Sequence, residues 1–528
     1  KAPEMNRNIN KLFIAALAFA ATACTGDFEN INSNPYEPGD LTADDYALGS
    51  QLNNVASCVV SSDVNTLQFT DALLGGPLGG YYSDSNAGFA ESFARYNQKN
   101  DWSRVFLKSD RIIPTLYANL GQIEAICQNT GNPVPLAIAT IIKVAAMSRV
   151  TDCYGPIPYS AIGTSSDLAV PYDSQETVYD SFFKELGEAI KTLHENVGMS
   201  LTPTADYVYS GDPAKWIRFG NSLKLRLAMR ISNVSPAKAR QYAEEAVADG
   251  VIETNEDNAT WKYFSSITNP LYTAVNYNNN GSLTGGDTHA AADIICYMNG
   301  YSDPRRAAYF LPSTWDGIEY VGLRRGWATF DQSWGFKFSG VNVKATDPLI
   351  WMTASEVAFL RAEGAAVHHF NMGGTAEEFY NRGIRLSFEQ WGVAGAEDYI
   401  ADASSMPQAY HDPSDKNPYN DTLSDITIKW DESADAQTKL ERIITQKWIA
   451  LYFNGNEAWA EYRRTGFPKL IPVAYNGSGG IVDSNAGPQR MPYPQEEYTN
   501  NSANVTAAVN NMLGGPDNMA TKVWWARY

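Results

Sequence analysis

Apolar residues recur along most of the chain at a spacing close to 3.6, the period of a helix with one buried face. From Trp102 to Gln128 they fall at Val105, Phe106, Ile112, Ile113, Leu116, Tyr117, Leu120, Ile123 and Ile126. Pro133 and Pro135 then precede a more apolar helix running to about Val150. Gln175 to Asn196, Trp216 to Ile231 and Pro236 to Asp249 repeat the pattern, the last stopped by Gly250. Short turns join these stretches, which predicts antiparallel neighbours. Glu356 to Phe370 and Ala376 to Trp391 form a pair around Gly373 and Gly374. The unit is close to the roughly 34 residues of a tetratricopeptide hairpin. Ala362, Ala365 and Gly383 are small enough to let two helices approach at its crossing. The strict repeat signature is missing, so an irregular helical hairpin is the competing reading.

The periodicity lapses in four places. Leu73 to Asn100 contains GGPLGGYYSDSNAG, and Asn255 to Pro348 is rich in Asn, Gly, Tyr and Trp. Ala401 to Asp435 and Tyr475 to Asn500 are polar. Loops of this length in a compact protein are functional or disordered. The aromatic content of the first two argues against disorder.

The N-terminus follows another grammar. From Met5 to Lys11 the chain carries Arg7 and Lys11 and no acid, Leu12 to Ala21 is an unbroken apolar run, and Thr22, Ala23 and Cys24 follow. This is the order of a secretory signal ending at a lipid-accepting cysteine. The apolar run is shorter than the roughly 20 residues that span a bilayer. The expected organisation is a lipoprotein signal peptide over 5–23, a lipidated, polar tether over 24–40, and one helical domain over 41–528. That domain carries insertions at about 73–100 and 255–348. An ordinary signal peptide with a chance cysteine is the bland alternative.

Composition narrows the function. With 59 acidic and 40 basic residues the net charge is −19, the reverse of a nucleic-acid footprint. Past Cys24 remain Cys58, Cys127, Cys153 and Cys296. They have no CxxC spacing, so buried free thiols are expected, with room for one bridge. Enzyme signatures are missing: there is no nucleophile elbow, no Walker A loop, and His194-Glu195 does not continue into HExxH. His368 and His369 end a helix, where a cation suits the dipole. No cofactor is expected. Asp412 to Asp425 offers oxygen ligands that a structural calcium could use, although EF-hand spacing is lacking and a solvated loop is the simpler reading.

Six segments carry a family resemblance: RVTDCYGPIPYS at 149–160, WIRFGNSLKLRLAMRIS at 216–232, MTASEVAFLRAEGA at 352–365, ITQKWIALYFNGNEAWAEYRRTGFP at 444–468, RMPYPQEEYTN at 490–500, and the closing TKVWWARY. In this order they resemble the SusD/RagB family of nutrient-binding outer-membrane lipoproteins of Bacteroidetes. The resemblance implies a mostly α fold, with about four tetratricopeptide-like hairpins as scaffold and loops carrying the ligand. It also implies a cell-surface lid on a SusC-like TonB-dependent β-barrel, receiving oligosaccharides or, in some members, oligopeptides. An all-α glycan-degrading enzyme is the alternative from another class. The motifs themselves read as scaffold: Glu457, Glu461, Arg463 and Arg464 suit a salt-bridged helix end.

A capture site needs flat apolar faces with a few polar groups to fix hydroxyl directions. The resemblance points to the two long insertions without transferring any residue. In the first, Tyr81, Tyr82 and Asp84 are the candidates, flanked by glycines that would leave the rings uncovered. In the second they are Trp315, Tyr320 and Trp334, with Asn278 and Asn279 as hydrogen-bonding partners. For each aromatic the competing reading is local core beneath the loop. Trp102, Trp448, Trp524 and Trp525 are expected to be structural.

Overall fold

The computed structural model describes residues 43–528 apart from 87, 100–101, 103–111, 165–168, 263–267 and 328–331. The expected signal peptide, Cys24 and the tether lie outside the described residues. Leu48–Tyr528 is one compact unit.

Helices dominate it. Those of ten residues or more are α1 (Ala43–Ala56), α2 (Ile112–Thr130), α3 (Val134–Tyr154), α4 (Gln175–Glu195), α5 (Pro213–Arg230), α6 (Pro236–Asp249), α7 (Ala354–Ala366), α8 (Ala376–Gln390), α9 (Ala436–Ala450), α10 (Gly455–Thr465) and α11 (Ser502–Asn511). Their starts are chemically marked. Ser174, Asp212 and Asp435 cap α4, α5 and α9, and Thr375 with Glu378 forms a capping box on α8. Neighbours in sequence pack as antiparallel pairs, α2 on α3, α3 on α4, α5 on α6 and α7 on α8, and α9 lies against both α7 and α8. At the α7–α8 crossing, a Cβ on Gly383 would stand 2.8 Å from the Phe359 ring, so only glycine allows this approach. α3 is long and apolar enough to cross a bilayer by composition alone, but 78% of its most apolar window is buried in the protein.

The short strands tie the two insertions together. β1 (Tyr82–Asp84) pairs antiparallel with β5 (Thr288–Ala290), Tyr82 opposite Ala290; between them in sequence, β2 (Ile157–Pro158) pairs with β3 (Tyr172–Asp173). β4 (Ala259–Trp261) pairs with β8 (Leu349–Met352) across a bulge, and β6 (Phe310–Leu311) with β7 (Gly340–Val341).

The six motif segments meet in one buried cluster. Arg230 of α5 pairs with Glu457 at 2.5 Å and also with Glu461 of α10. Arg464 pairs with Glu461 at 2.6 Å and Glu363 of α7 at 2.5 Å. Asp152 of α3 accepts from Trp525 Nε1 at 2.8 Å, and Arg490 Nε donates to Tyr154 O at 2.9 Å. Burial would raise Glu363, but the Arg464 guanidinium beside it overcomes this and holds the carboxyl below its usual range. The salt-bridged helix end expected from sequence is therefore the hub of the fold. Cys58, Cys127, Cys153 and Cys296 are buried free thiols, and burial pushes Cys58 and Cys153 up to about 12.

Candidate functional site

The second insertion turns back at the β6–β7 hairpin. Just beyond it, the Ser313 N–H donates to Glu319 O at 2.8 Å and the Thr314 N–H to Lys337 O at 2.9 Å. These bonds hold residues 313–319 beside the turn at 334–338. That turn closes the short helix Gln332–Gly335 through Lys337 N–H to Trp334 O at 3.0 Å.

The result is an aromatic platform. Trp315 and Trp334 stand 5.7 Å apart with rings tilted by 50°, and Trp315 meets the buried Phe338 edge-on at 5.7 Å. Both indoles are half-buried. Phe338 anchors the pair to the core, and part of each indole remains in water. Two exposed lysines lie over them. Lys337 Nζ is 4.7 Å from the Trp315 centroid and 5.4 Å from that of Trp334, and Lys416 Nζ is 4.0 Å above Trp334. The ring quadrupole attracts both ammonium groups. Among the described residues the buried Trp315 Nε1–H has no hydrogen-bond partner, a state that an accepting ligand oxygen would relieve.

Lys416 arrives from a different loop. Asp412 accepts from the backbone N–H groups of Ser414 at 2.9 Å, Lys416 at 3.1 Å and Asn417 at 2.7 Å, which folds the turn that presents the lysine. Arg324 fastens that loop down: its Nη1 donates to Pro418 O at 2.6 Å, its Nε to Pro472 O at 3.1 Å, and its guanidinium lies 5.3 Å over Tyr419. Burial, then Asp421, raise the Tyr419 hydroxyl above its usual range against Arg324, so it stays a neutral donor. In the acidic stretch, where a structural calcium was possible and a solvated loop the simpler reading, Asp412 is bonded to its own backbone; among the described residues, no group of three His, Cys, Asp or Glu side chains is placed to hold a metal ion.

The structure brings Trp315 and Trp334 together and buries Tyr81, Tyr82, Asp84 and Tyr320. Tyr81, Tyr82 and Asp84 correct the expectation of uncovered rings. Tyr81 is 0% and Tyr82 1% exposed. Tyr81 stacks on Trp448 at 5.5 Å and donates its hydroxyl to Trp448 O at 2.5 Å. Asp84 is buried in β1, and that burial raises its carboxyl. The flanking glycines produce this result: a Cβ on Gly76 would sit 2.0 Å from the Tyr82 ring, and one on Gly455 2.4 Å from the Gly75 carbonyl. They admit backbone and rings into a dense core instead of leaving them open. Tyr320 is also buried, with Arg306 4.7 Å over its ring. Asn278 and Asn279 are exposed, and they organise their own loop: Asn278 Nδ2 donates to Asp287 Oδ2 at 2.9 Å, and Asn279 O accepts from Ser282 N–H at 2.7 Å. That loop is anchored beside the platform, since Thr284 Oγ1 donates to Phe336 O at 2.6 Å.

Sequence reasoning missed Lys337, Lys416, Tyr419 and Arg324. Only Lys337 carried a local signal, three residues past Trp334. Lys416 and Tyr419 belong to a polar stretch that nothing in the sequence connects to the tryptophans.

Comparison with known proteins agrees with this architecture. The SusD-like family, described as SusD and RagB outer membrane lipoproteins, matches residues 30–526. No curated protein matches the chain. Among solved structures, a SusD homologue from Bacteroides uniformis is 61% identical with a TM-score of 0.89, covering 92% of this chain and 100% of that one. A SusD homologue from Bacteroides thetaiotaomicron is 41% identical with a TM-score of 0.83, covering 91% and 99%. A chitin-binding SusD homologue from Flavobacterium johnsoniae is 37% identical with a TM-score of 0.83, covering 90% and 98%.

Proposed function

The chain belongs to the SusD/RagB family of nutrient-binding outer-membrane lipoproteins, and from that premise we propose that it captures oligosaccharides on the Trp315–Trp334 platform and passes them to a SusC-like TonB-dependent β-barrel. The observation that carries this reading is the half-exposed indole pair. Flat apolar faces take up the apolar face of a sugar ring, while the Trp315 N–H and the two lysines offer donors to its oxygens. The chitin-binding relative supports a glycan over a peptide. Binding without chemistry is the proposed role, with Cys24 bearing the lipid that keeps the protein on the outer membrane.

Lysine placement suits capture followed by release. Both lysines are exposed, and their ammonium groups rest over the indole faces. A cation–π contact at an exposed site is worth about 0.5–1 kcal/mol, so an arriving sugar displaces it readily. The test is isothermal calorimetry with panels of oligosaccharides, chito-oligosaccharides included, and of oligopeptides. Trp334→Ala and Trp315→Ala are each expected to weaken glycan binding by about tenfold, on the order of 1.4 kcal/mol. Unchanged glycan affinity in both folded variants would move the site elsewhere. Binding of peptides alone would replace the substrate class.

A further inference from the structure

A cleft of about 350 Å³ opens between the β4–β8 ladder, the C-terminal end of α8 and the loop before α10. None of the platform residues lines it. Its volume falls in the range of small-molecule sites, about 300–1,000 Å³.

Three features of its wall point to one kind of occupant. First, two rings line it: Trp391 and Phe453, 5.7 Å apart and tilted by 52°, with Leu271 and Val343 completing the apolar surface. Phe453 has a φ of +81°, a conformation that a bulky side chain rarely adopts. Backbone strain of that kind is maintained by its surroundings and clusters at ligand sites. Second, Trp391 Nε1–H and Gln390 Oε1, on consecutive residues of the lining, are buried and lack a hydrogen-bond partner among the described residues. Buried polar groups are otherwise almost always paired. Third, the acids of the lining are already engaged. Asp71 is held by Arg149 at 2.6 Å and by Asn456 Nδ2 at 3.1 Å, and Asp347 accepts from the Lys344 N–H at 2.8 Å. Lys344 itself is exposed. An ionic ligand such as a free amino acid would need buried counter-charges that these groups do not offer.

We propose that this cleft is a second carbohydrate site, taking one or two neutral hexose units. The apolar sugar face lies against Trp391 and Phe453, one hydroxyl accepts from Trp391 Nε1, and another donates to Gln390 Oε1. It shares no lining residue with the platform, so different variants disable the two sites.

The experiment uses the protein carrying Trp315→Ala and Trp334→Ala, which disables the platform. Glucose, galactose, N-acetylglucosamine and cellobiose are the probes, read by saturation-transfer difference NMR. At least one sugar is expected to give a saturable signal, and adding Gln390→Leu with Trp391→Phe is expected to weaken it fivefold or more. The indole ¹⁵N–H spectrum gives a second readout that does not depend on altering the cleft. The Trp391 peak, assigned through the single Trp391→Phe variant, is expected to shift as the sugar is added. No signal from any of the four sugars overturns the proposal, as does a signal indifferent to the cleft variants or a stationary Trp391 peak. Failure of the platform reading looks different: long oligosaccharides then bind the platform variant with undiminished affinity.

Discussion

His289 stands in the middle of β5 with no exposed surface, its Nδ1 2.9 Å from Ser85 Oγ and its Nε2 3.4 Å from Thr284 Oγ1. Burial pushes its pKa down to about 3 from the ordinary 6.5. Below pH 6.5 the unfolded chain takes a proton that the folded chain refuses. Stability therefore falls as pH drops from 6.5 toward 3, by up to about 1.4 kcal/mol per pH unit from this residue. His289→Gln is expected to remove that component: urea midpoints taken at pH 7 and pH 5 should draw closer together than in the parent protein. An equal spread in both proteins would mean that the ring is not the titrating group. Tyr81 makes the complementary case. Its hydroxyl bond to Trp448 O is buried, so Tyr81→Phe is expected to lower stability by about 1 kcal/mol and leave glycan affinity untouched. Sequence alone showed two tyrosines among glycines. It could not distinguish glycine as a flexible hinge from glycine as space for a neighbouring ring, because that depends on Gly455 and Trp448, residues far away in the chain.

At the level of elements, packing at the crossings decides what a substitution does. A Cβ on Gly383 of α8 would stand 2.8 Å from the Phe359 ring, whereas one on Gly187 of α4 would meet nothing within 4 Å among the described residues. Gly383→Ala is therefore expected to destabilise by about 1–3 kcal/mol through overpacking. Gly187→Ala is expected to stabilise by about 0.5–1 kcal/mol through helix propensity alone. Thermal melts of the pair read the difference in sign. The same change in two helices thus separates a structural glycine from an incidental one. The helices were legible from the 3.6-residue period: α6 starts and stops at the expected residues, and α3, α4, α5, α7 and α8 shift by only a few. α7 ends at Ala366, short of the expected Phe370. There Met372 and Phe370 fold back instead, the Phe370 N–H donating to Gly364 O at 2.9 Å and Met372 O accepting from Arg361. α2 is described from Ile112, and the residues between it and the start expected at Trp102, 103–111, lie outside the described residues. Trp102 itself is enclosed by Phe69, Phe89 and Phe93 at 5.3–5.7 Å.

At the scale of the whole molecule, one buried ionic hub joins the helical stack to the C-terminal segments that follow the insertions. Arg464 is its clearest probe, because it faces both Glu363 and Glu461 with no access to water. Arg464→Met would leave two buried carboxylates short of their counter-charge, and the expected loss is about 3–5 kcal/mol in denaturant unfolding. The residues of this hub were visible in the sequence as motifs, and the family resemblance rested on them. The proposed ligand site was not, because Trp315, Trp334 and Lys416 lie far apart in the chain and only the fold makes them neighbours. Fold and function also divide at the N-terminus. A body stabilised by its own core needs no lipid to fold, so the proposed anchor at Cys24 should affect location alone. Each buried methylene contributes about 0.8 kcal/mol, and two acyl chains already hold a protein stably on a bilayer. Cys24→Ser is therefore expected to give a protein with unchanged melting temperature and unchanged glycan affinity that leaves the outer-membrane fraction for the soluble one. Fractionation in a strain lacking the partner barrel separates the two ways of being retained. If the Cys24→Ser protein stays with the membrane in that strain, the attachment is made by some other part of the chain.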